Sequence, residues 1–247
     1  MNRHTFVVAI IWVVLTVLGE ALVFALDLFP LAAAEEAAIV DGAFRVLMVL
    51  AVPVMSFVIA TLAYSILRFR IRGEPSQDGP PIRSHGRLIA VWFAVTSGLT
   101  VLMIIYPGII GMNELMMRSH EKPDMVVKVE GMRFAWLFTY PEQNVTAYKE
   151  LVLPVDKHVR FDITSKDVLH SFWVPAFRMK IDAVPGMVTT VHATPDKTGT
   201  FEDDTQIRVQ CTELCGVGHS IMRVPVRVVK QSDFDAWIAQ QHQIARR

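Results

Sequence analysis

The only two cysteines of the chain, Cys211 and Cys215, share the short run VQCTELCGVGHSIM with Glu213, His219 and Met222. Thiolate and thioether are soft donors and imidazole is borderline, so Cys211, Cys215, His219 and Met222 form a set suited to copper or zinc and poorly suited to calcium or magnesium. The thioether favours copper. Zinc stays open, because two Cys and a His with one more ligand make a tetrahedral site, although the closely spaced second pair typical of structural zinc is missing. Iron–sulfur clusters need more thiolates or a different spacing. A Cys211–Cys215 disulfide is the plain alternative, and it leaves His219 and Met222 unexplained. A further imidazole, His170, lies in the block DVLHSFWVPAFRMKIDAVPG.

The segments around these residues look like a small β-domain. From about residue 122 to 230, short apolar runs alternate with turn signals. Val159, Phe161 and Ile163 alternate with Arg160, Asp162 and Thr164, and Val224, Val226 and Val228 alternate with Arg223, Pro225 and Arg227. That period of two marks half-buried strands and predicts a small antiparallel sandwich or barrel. Residues 231–247 then read as an amphipathic helix, with Ser232 placed to cap it and Phe234, Trp237 and Ile238 on its apolar face.

Ahead of this domain the chain changes character. Hydrophobic residues make up 52% of it and mean hydropathy is +0.38, which is apolar for a soluble protein yet too charged for an entirely membrane-embedded one. Three runs, 5–28, 43–67 and 88–110, have the length of a membrane-crossing helix. Residues 1–30 are read as a retained extra helix, with a secretory signal ending near Ala32, Ala33 and Ala34 as the alternative. Residues 43–110 form a helical hairpin. Arg68, Arg70, Arg72, Arg83 and Arg87 outnumber Glu74 and Asp78 in the loop of that hairpin, whereas the first connection carries Glu35, Glu36 and Asp41 without Lys or Arg. The positive-inside rule puts the Arg-rich loop in the cytoplasm and the β-domain outside, in an oxidising compartment. Acidic and basic residues balance at 24 each. With no basic face and no phosphate-cradling loop, nucleic acid is not an expected partner.

Taken together, the aromatic segment GMRFAWLFTYP, the DVLHSFWVP and KIDAVPG motifs, and the loop from Cys211 to Met222 resemble subunit II of the haem-copper respiratory oxidases. The resemblance covers most of the chain. It implies N-terminal transmembrane α-helices followed by an all-β cupredoxin-like Greek-key domain carrying a binuclear copper A centre. Carried over by residue, Cys211 and Cys215 become bridging thiolates, His170 and His219 give one imidazole to each copper, Met222 is a weak ligand of one, and the backbone carbonyl of Glu213 a weak ligand of the other. The Glu213 side chain would reach a magnesium ion at the boundary with subunit I. The implied activity is that of a cytochrome c oxidase subunit accepting electrons from a periplasmic donor and passing them to haem in subunit I, where oxygen is reduced and protons are pumped. Subunits I and III are the implied partners, in the inner membrane of a prokaryote. A stand-alone membrane-anchored copper-binding or copper-delivery protein is the alternative.

Some positions depart from the family's pattern. Phe134 occupies the place of the Trp through which electrons usually arrive, and Trp136 follows two residues later, so both are candidates. Glu202, Asp203 and Asp204 could face a basic cytochrome c. With no Cys-x-x-Cys-His in the chain, the donor is a separate cytochrome c or blue-copper protein. Glu20 is the one acidic residue deep in a span, a placement that usually signals function or a partner.

Overall fold

The computed structural model describes residues 2–70, 73 and 84–246. The chain divides into two compact units, Met1–Leu28 with Gly42–Met112 and Phe29–Asp41 with Asn113–Arg247.

Three helical runs give the first unit its character: α1 (Arg3–Ala25), α2 (Glu35–Phe69), and α3 (Gly86–Met103), which passes through the turn Ile104–Ile109 into α4 (Ile110–His120). Each run is long and apolar enough to cross a membrane. The helices are apolar around their whole circumference, as lipid-facing helices are. α2 and the α3–α4 run extend past the runs expected from hydropathy, because polar residues at the ends of a span can continue a helix that propensity alone permits, whereas α1 stops at Ala25, short of the expected residue 28. The kink between α3 and α4 has a local cause: Pro107 has no N–H to donate, and Tyr106 takes an extended backbone (φ −138°, ψ 122°). Gly19 of α1 sits where a Cβ would lie 2.7 Å from Val52 Cγ1 of α2, so these two helices meet at a glycine. Of the loop residues used for orientation, Arg72, Glu74, Asp78 and Arg83 lie outside the described residues.

The second unit is a sandwich of two sheets. The strands are β1 (Met125–Met132), β2 (Ala135–Tyr140), β3 (Val145–Ala147), β4 (Leu151–Pro154), β5 (Val159–Ser165), β6 (His170–Val174), β7 (Met179–Ala183), β8 (Thr189–Ala193), β9 (Gly199–Thr200), β10 (Arg208–Cys211) and β11 (Arg223–Val229). One sheet runs β3-β2-β1-β5-β8 and the other β4-β11-β10-β6-β7, with β9 on β11. The expected alternation holds in β5, where Val159, Phe161 and Ile163 are buried. These face Phe172, Val209, Val226 and Val228 of the other sheet in one core. The all-antiparallel expectation is corrected: β1 pairs β5 in parallel and β4 pairs β11 in parallel. Parallel neighbours require a crossover rather than a hairpin, and the crossover is supplied here by strands that pass to the opposite sheet.

Two further features fix this unit. The connection 29–41 packs onto the sandwich: Ala33 donates its N–H to the Ala176 carbonyl (2.8 Å), Glu35 donates to the Thr194 carbonyl (3.0 Å), and Arg178 grips both oxygens of Asp41 at 2.7 and 3.0 Å. Ala33 and Ala34 are buried in this packing. The C-terminal helix α5 (Gln231–Ala245) covers one end of the core with Phe234 and Trp237. It begins at residue 231 as expected, but its N-cap is Lys230, without a side-chain hydrogen bond, so Ser232 lies inside the first turn instead of capping it. Under it, the Tyr140 hydroxyl accepts the Val152 N–H and donates to the Val152 carbonyl, both at 3.0 Å.

Candidate metal centre

Three strand ends and one loop build the site. His170 opens β6, Cys211 closes β10, and β10 lies between β6 and β11 with Cys211 opposite Phe172. The intervening loop leaves at Thr212 and returns at Met222. Its base is pinned where Cys211 donates its N–H to the Met222 carbonyl (3.0 Å) and Thr212 donates to the Ser171 carbonyl (3.1 Å). Gly216 has φ +130°, a conformation that side chains rarely adopt. At Gly218 a Cβ would meet the Phe134 ring at 2.4 Å. Glycine at these two positions lets the loop turn tightly beneath an aromatic lid.

The donor atoms converge. Cys211 Sγ lies 3.9 Å from Cys215 Sγ. That is far beyond the roughly 2.05 Å of a disulfide, and both cysteines are free. With metal–thiolate bonds of about 2.3 Å, however, one ion can touch both sulfurs. Each sulfur has its own imidazole: His170 Nδ1 is 3.8 Å from Cys211 Sγ, and His219 Nδ1 is 3.6 Å from Cys215 Sγ. Each also has a weaker donor beside it, the Glu213 carbonyl at 3.3 Å from Cys211 Sγ and Met222 Sδ at 3.8 Å from Cys215 Sγ. His170, Cys211 and Cys215 form the one group of three or more convergent His, Cys, Asp or Glu donors found among the described residues, and all three are buried. Burial, with Cys211 adding to it, pushes the Cys215 thiol up to about 11. A bound cation removes that cost, because coordination deprotonates a thiol outright. Two soft thiols, two imidazoles, a thioether and a carbonyl form a donor set that suits copper.

Sequence reasoning did not find the group that aims His170. Asp167 Oδ1 accepts from His170 Nε2 at 2.8 Å, which leaves the Nδ1 lone pair directed at the thiols. Asp167 is itself held by the N–H groups of Arg133 (2.9 Å) and Val168 (2.7 Å) and by Arg133 Nε (3.2 Å). Burial opposes its charge, but the Arg133 N–H, His170, the Val168 N–H and the Arg133 guanidinium outweigh it and hold the carboxyl well below the usual carboxylate range. Asp167 stands three residues before His170 in the same block, a spacing that carries no signature of its own in the sequence. Gly131 backs the same ring, where a Cβ would lie 3.0 Å from His170 Cδ2.

The remaining candidates separate. Phe134 is 38% exposed over the ligand loop, whereas Trp136 is 0% exposed, with its ring edge-on to His170 at 6.0 Å. Glu213 is exposed, its carbonyl turned to the metal site. Asp203 accepts from the Thr200 N–H and Oγ1 at 2.9 Å, and Asp204 accepts from the Gln206 N–H at 2.8 Å. Together with Glu202 they lie where β9 pairs with Arg227 and Val228, about 16 Å along β11 from Met222 at ~3.3 Å per residue. The surface next to the ligands is instead apolar, with Leu214, Val217 and Ile221 exposed.

Residues 143–229, from β3 through the ligand loop to the end of β11, match the family described as cytochrome c oxidase subunit II, periplasmic domain. A cytochrome c oxidase subunit 2 of Thermostichus vulcanus is 30% identical over 88% of this chain and 80% of its own. A probable cytochrome c oxidase subunit 2 of Rickettsia bellii is 30% identical over 81% and 78%. Among solved structures, the periplasmic domain of subunit II of cytochrome oxidase from Bradyrhizobium japonicum is 31% identical, covers 50% of this chain and 96% of its own, and aligns with a TM-score of 0.46. With that identity running through both the helical and the β unit, the chain belongs to the cytochrome c oxidase subunit II family.

Proposed function

We propose that the chain is the subunit through which electrons enter a cytochrome c oxidase, at a binuclear copper A centre held by His170, Cys211, Glu213, Cys215, His219 and Met222. The observation that carries this reading is the pairing of the donors: two thiols, each with its own imidazole and its own weak neighbour. When bound, the copper pair supplies a one-electron carrier. The protein does the rest. Cys211 and Cys215 would hold the copper pair through their thiolates, and the β10 and β11 strand ends pin the base of the loop that carries them. Asp167 keeps the His170 lone pair on the metal side. The buried aromatic wall of Trp136 and Phe172, edge-on at 5.7 Å, excludes water from that side.

Electrons then arrive over Phe134, the exposed aromatic on the ligand loop, and the donor, a cytochrome c or a blue-copper protein, meets the apolar rim of Leu214, Val217 and Ile221. Trp136 serves to seat His170. The Glu213 carboxylate, free because its carbonyl faces Cys211, is the side chain that would hold magnesium at the boundary with subunit I. Subunits I and III complete the assembly in the plasma membrane of a prokaryote, with the β-domain on the periplasmic side. Residues 1–30 add a third span to the 43–110 hairpin, residues 122–230 carry the metal centre, and residues 231–247 cover its core.

The experiment is metal analysis with electron paramagnetic resonance on the protein after aerobic copper loading. Two coppers per chain sharing one unpaired electron are expected. One zinc and no copper would refute the assignment. A stand-alone copper protein would instead purify repeatedly in mild detergent copper-loaded and free of haem subunits.

A further inference from the structure

A second pair of nitrogen donors lies at the far end of β5 from the metal centre. Arg160 pairs with His192 across β5 and β8, and the alternation of strand faces puts His158, Arg160, His192 and Thr194 on one side of this sheet edge. His158 Nε2 and His192 Nδ1 are 3.0 Å apart, their rings stacked at 5.0 Å and 27°. Both imidazoles are half-buried.

The hydrogen bonds around them fix which nitrogens carry protons. The buried Glu36 carboxylate takes the Thr194 N–H (2.8 Å) and the Thr194 hydroxyl (3.2 Å). Thr194 Oγ1 has then given its proton away and accepts from His158 Nδ1 at 3.2 Å. In the neutral His158 ring Nε2 then keeps its lone pair, which meets the Nδ1–H of His192. Burial first, then His158 and Arg160, keep the His192 imidazole below its ordinary basicity. A neutral, oriented imidazole pair is what a borderline metal ion binds.

We infer that His158 and His192 form a second metal site that takes a divalent borderline cation, copper(II) in preference to zinc. Binding requires His192 to shift its proton from Nδ1 to Nε2 through solvent and the two rings to turn so that both lone pairs meet one ion in place of the hydrogen bond. Imidazole donors bind copper(II) more tightly than zinc, and nitrogens 3.0 Å apart are close enough to reach one ion as neighbouring ligands at metal–nitrogen bonds of about 2.0–2.1 Å. Glu36, reached through Thr194, supplies compensating negative charge to the ring that it orients, and Asp162 neutralises the adjacent Arg160 at 3.0 Å. The site is distinct from the first, because the length of β5 separates His158 from the turn that holds Asp167, about 23 Å at ~3.3 Å per residue.

The test uses the full chain with its copper centre already filled. Copper(II) sulfate is added, excess is removed by desalting, and the extra copper is quantified and its paramagnetic signal recorded. One additional equivalent with an axial signal and nitrogen splitting is expected. His158→Gln and His192→Gln should each weaken its binding by about tenfold or more while the spectrum of the filled centre stays unchanged and reports an intact fold. The inference is overturned if the wild type retains no additional copper, if both variants hold it as tightly as wild type, or if an equal concentration of zinc sulfate displaces it.

Discussion

At the residue scale, the two thiols and the thioether have different duties. Cys215 Sγ stands between Cys211 Sγ, His219 Nδ1 and Met222 Sδ, so Cys215→Ser removes the atom that ties the donors together and should abolish the copper spectrum. Met222→Leu removes one weak ligand and should leave a copper centre with a shifted reduction potential, read by redox titration. Equal copper loss in the two variants would contradict this division. Asp167 acts one step out. Asp167→Ala frees His170 Nε2 and the Arg133 N–H together and should lower copper affinity by roughly 10–100-fold at unchanged stoichiometry, measured by competition with a chelator. The convergent donors were legible in the sequence because the chain has so few thiols and they fall beside His and Met. Asp167 was not read, since a carboxylate three residues from a histidine has no distinctive spacing until the turn between β5 and β6 brings the two together.

At the element scale, the strands announced themselves by alternation, but their partners did not. The β1–β5 and β4–β11 parallel pairs join residues far apart in sequence, and local periodicity carries no information about such crossovers. The docking of 29–41 onto the sandwich was hidden for the same reason: Asp41 finds Arg178, and Glu36 finds Thr194, only in the folded unit. Two consequences are testable here. Tyr140 spans a gap in the backbone pairing by serving both the N–H and the carbonyl of Val152. Tyr140→Phe leaves both groups buried and unpaired, and a loss of about 1–3 kcal/mol in denaturant unfolding of the metal-loaded protein is expected. At the other end of β2 from Tyr140, Phe134 lies over Gly216 and Gly218 while Trp136 is enclosed. Phe134→Leu should therefore slow reduction by the donor roughly tenfold, about 1.4 kcal/mol in barrier, with the copper spectrum intact. Trp136→Phe should disturb that spectrum more than the rate. The reverse outcome would move the point of electron arrival to Trp136.

At the scale of the whole molecule, the apolar helices explain why the chain is not self-sufficient. Thr16 and Glu20 lie one turn apart on α1, and Thr16 Oγ1 and Glu20 Oε2 are shielded without a hydrogen-bond partner among the described residues. Polar groups in such a setting are costly in lipid unless another helix meets them, which is what membership of a multi-subunit oxidase supplies. The most direct test of the account follows the electron through the assembled oxidase. In the purified complex, a rapidly photoreduced donor should reduce the copper centre first and haem afterwards. With Cys215→Ser the donor should no longer reduce haem, although a small chemical reductant still does. Haem reduction by the donor at the wild-type rate in that variant would contradict the claim that electrons enter through this chain.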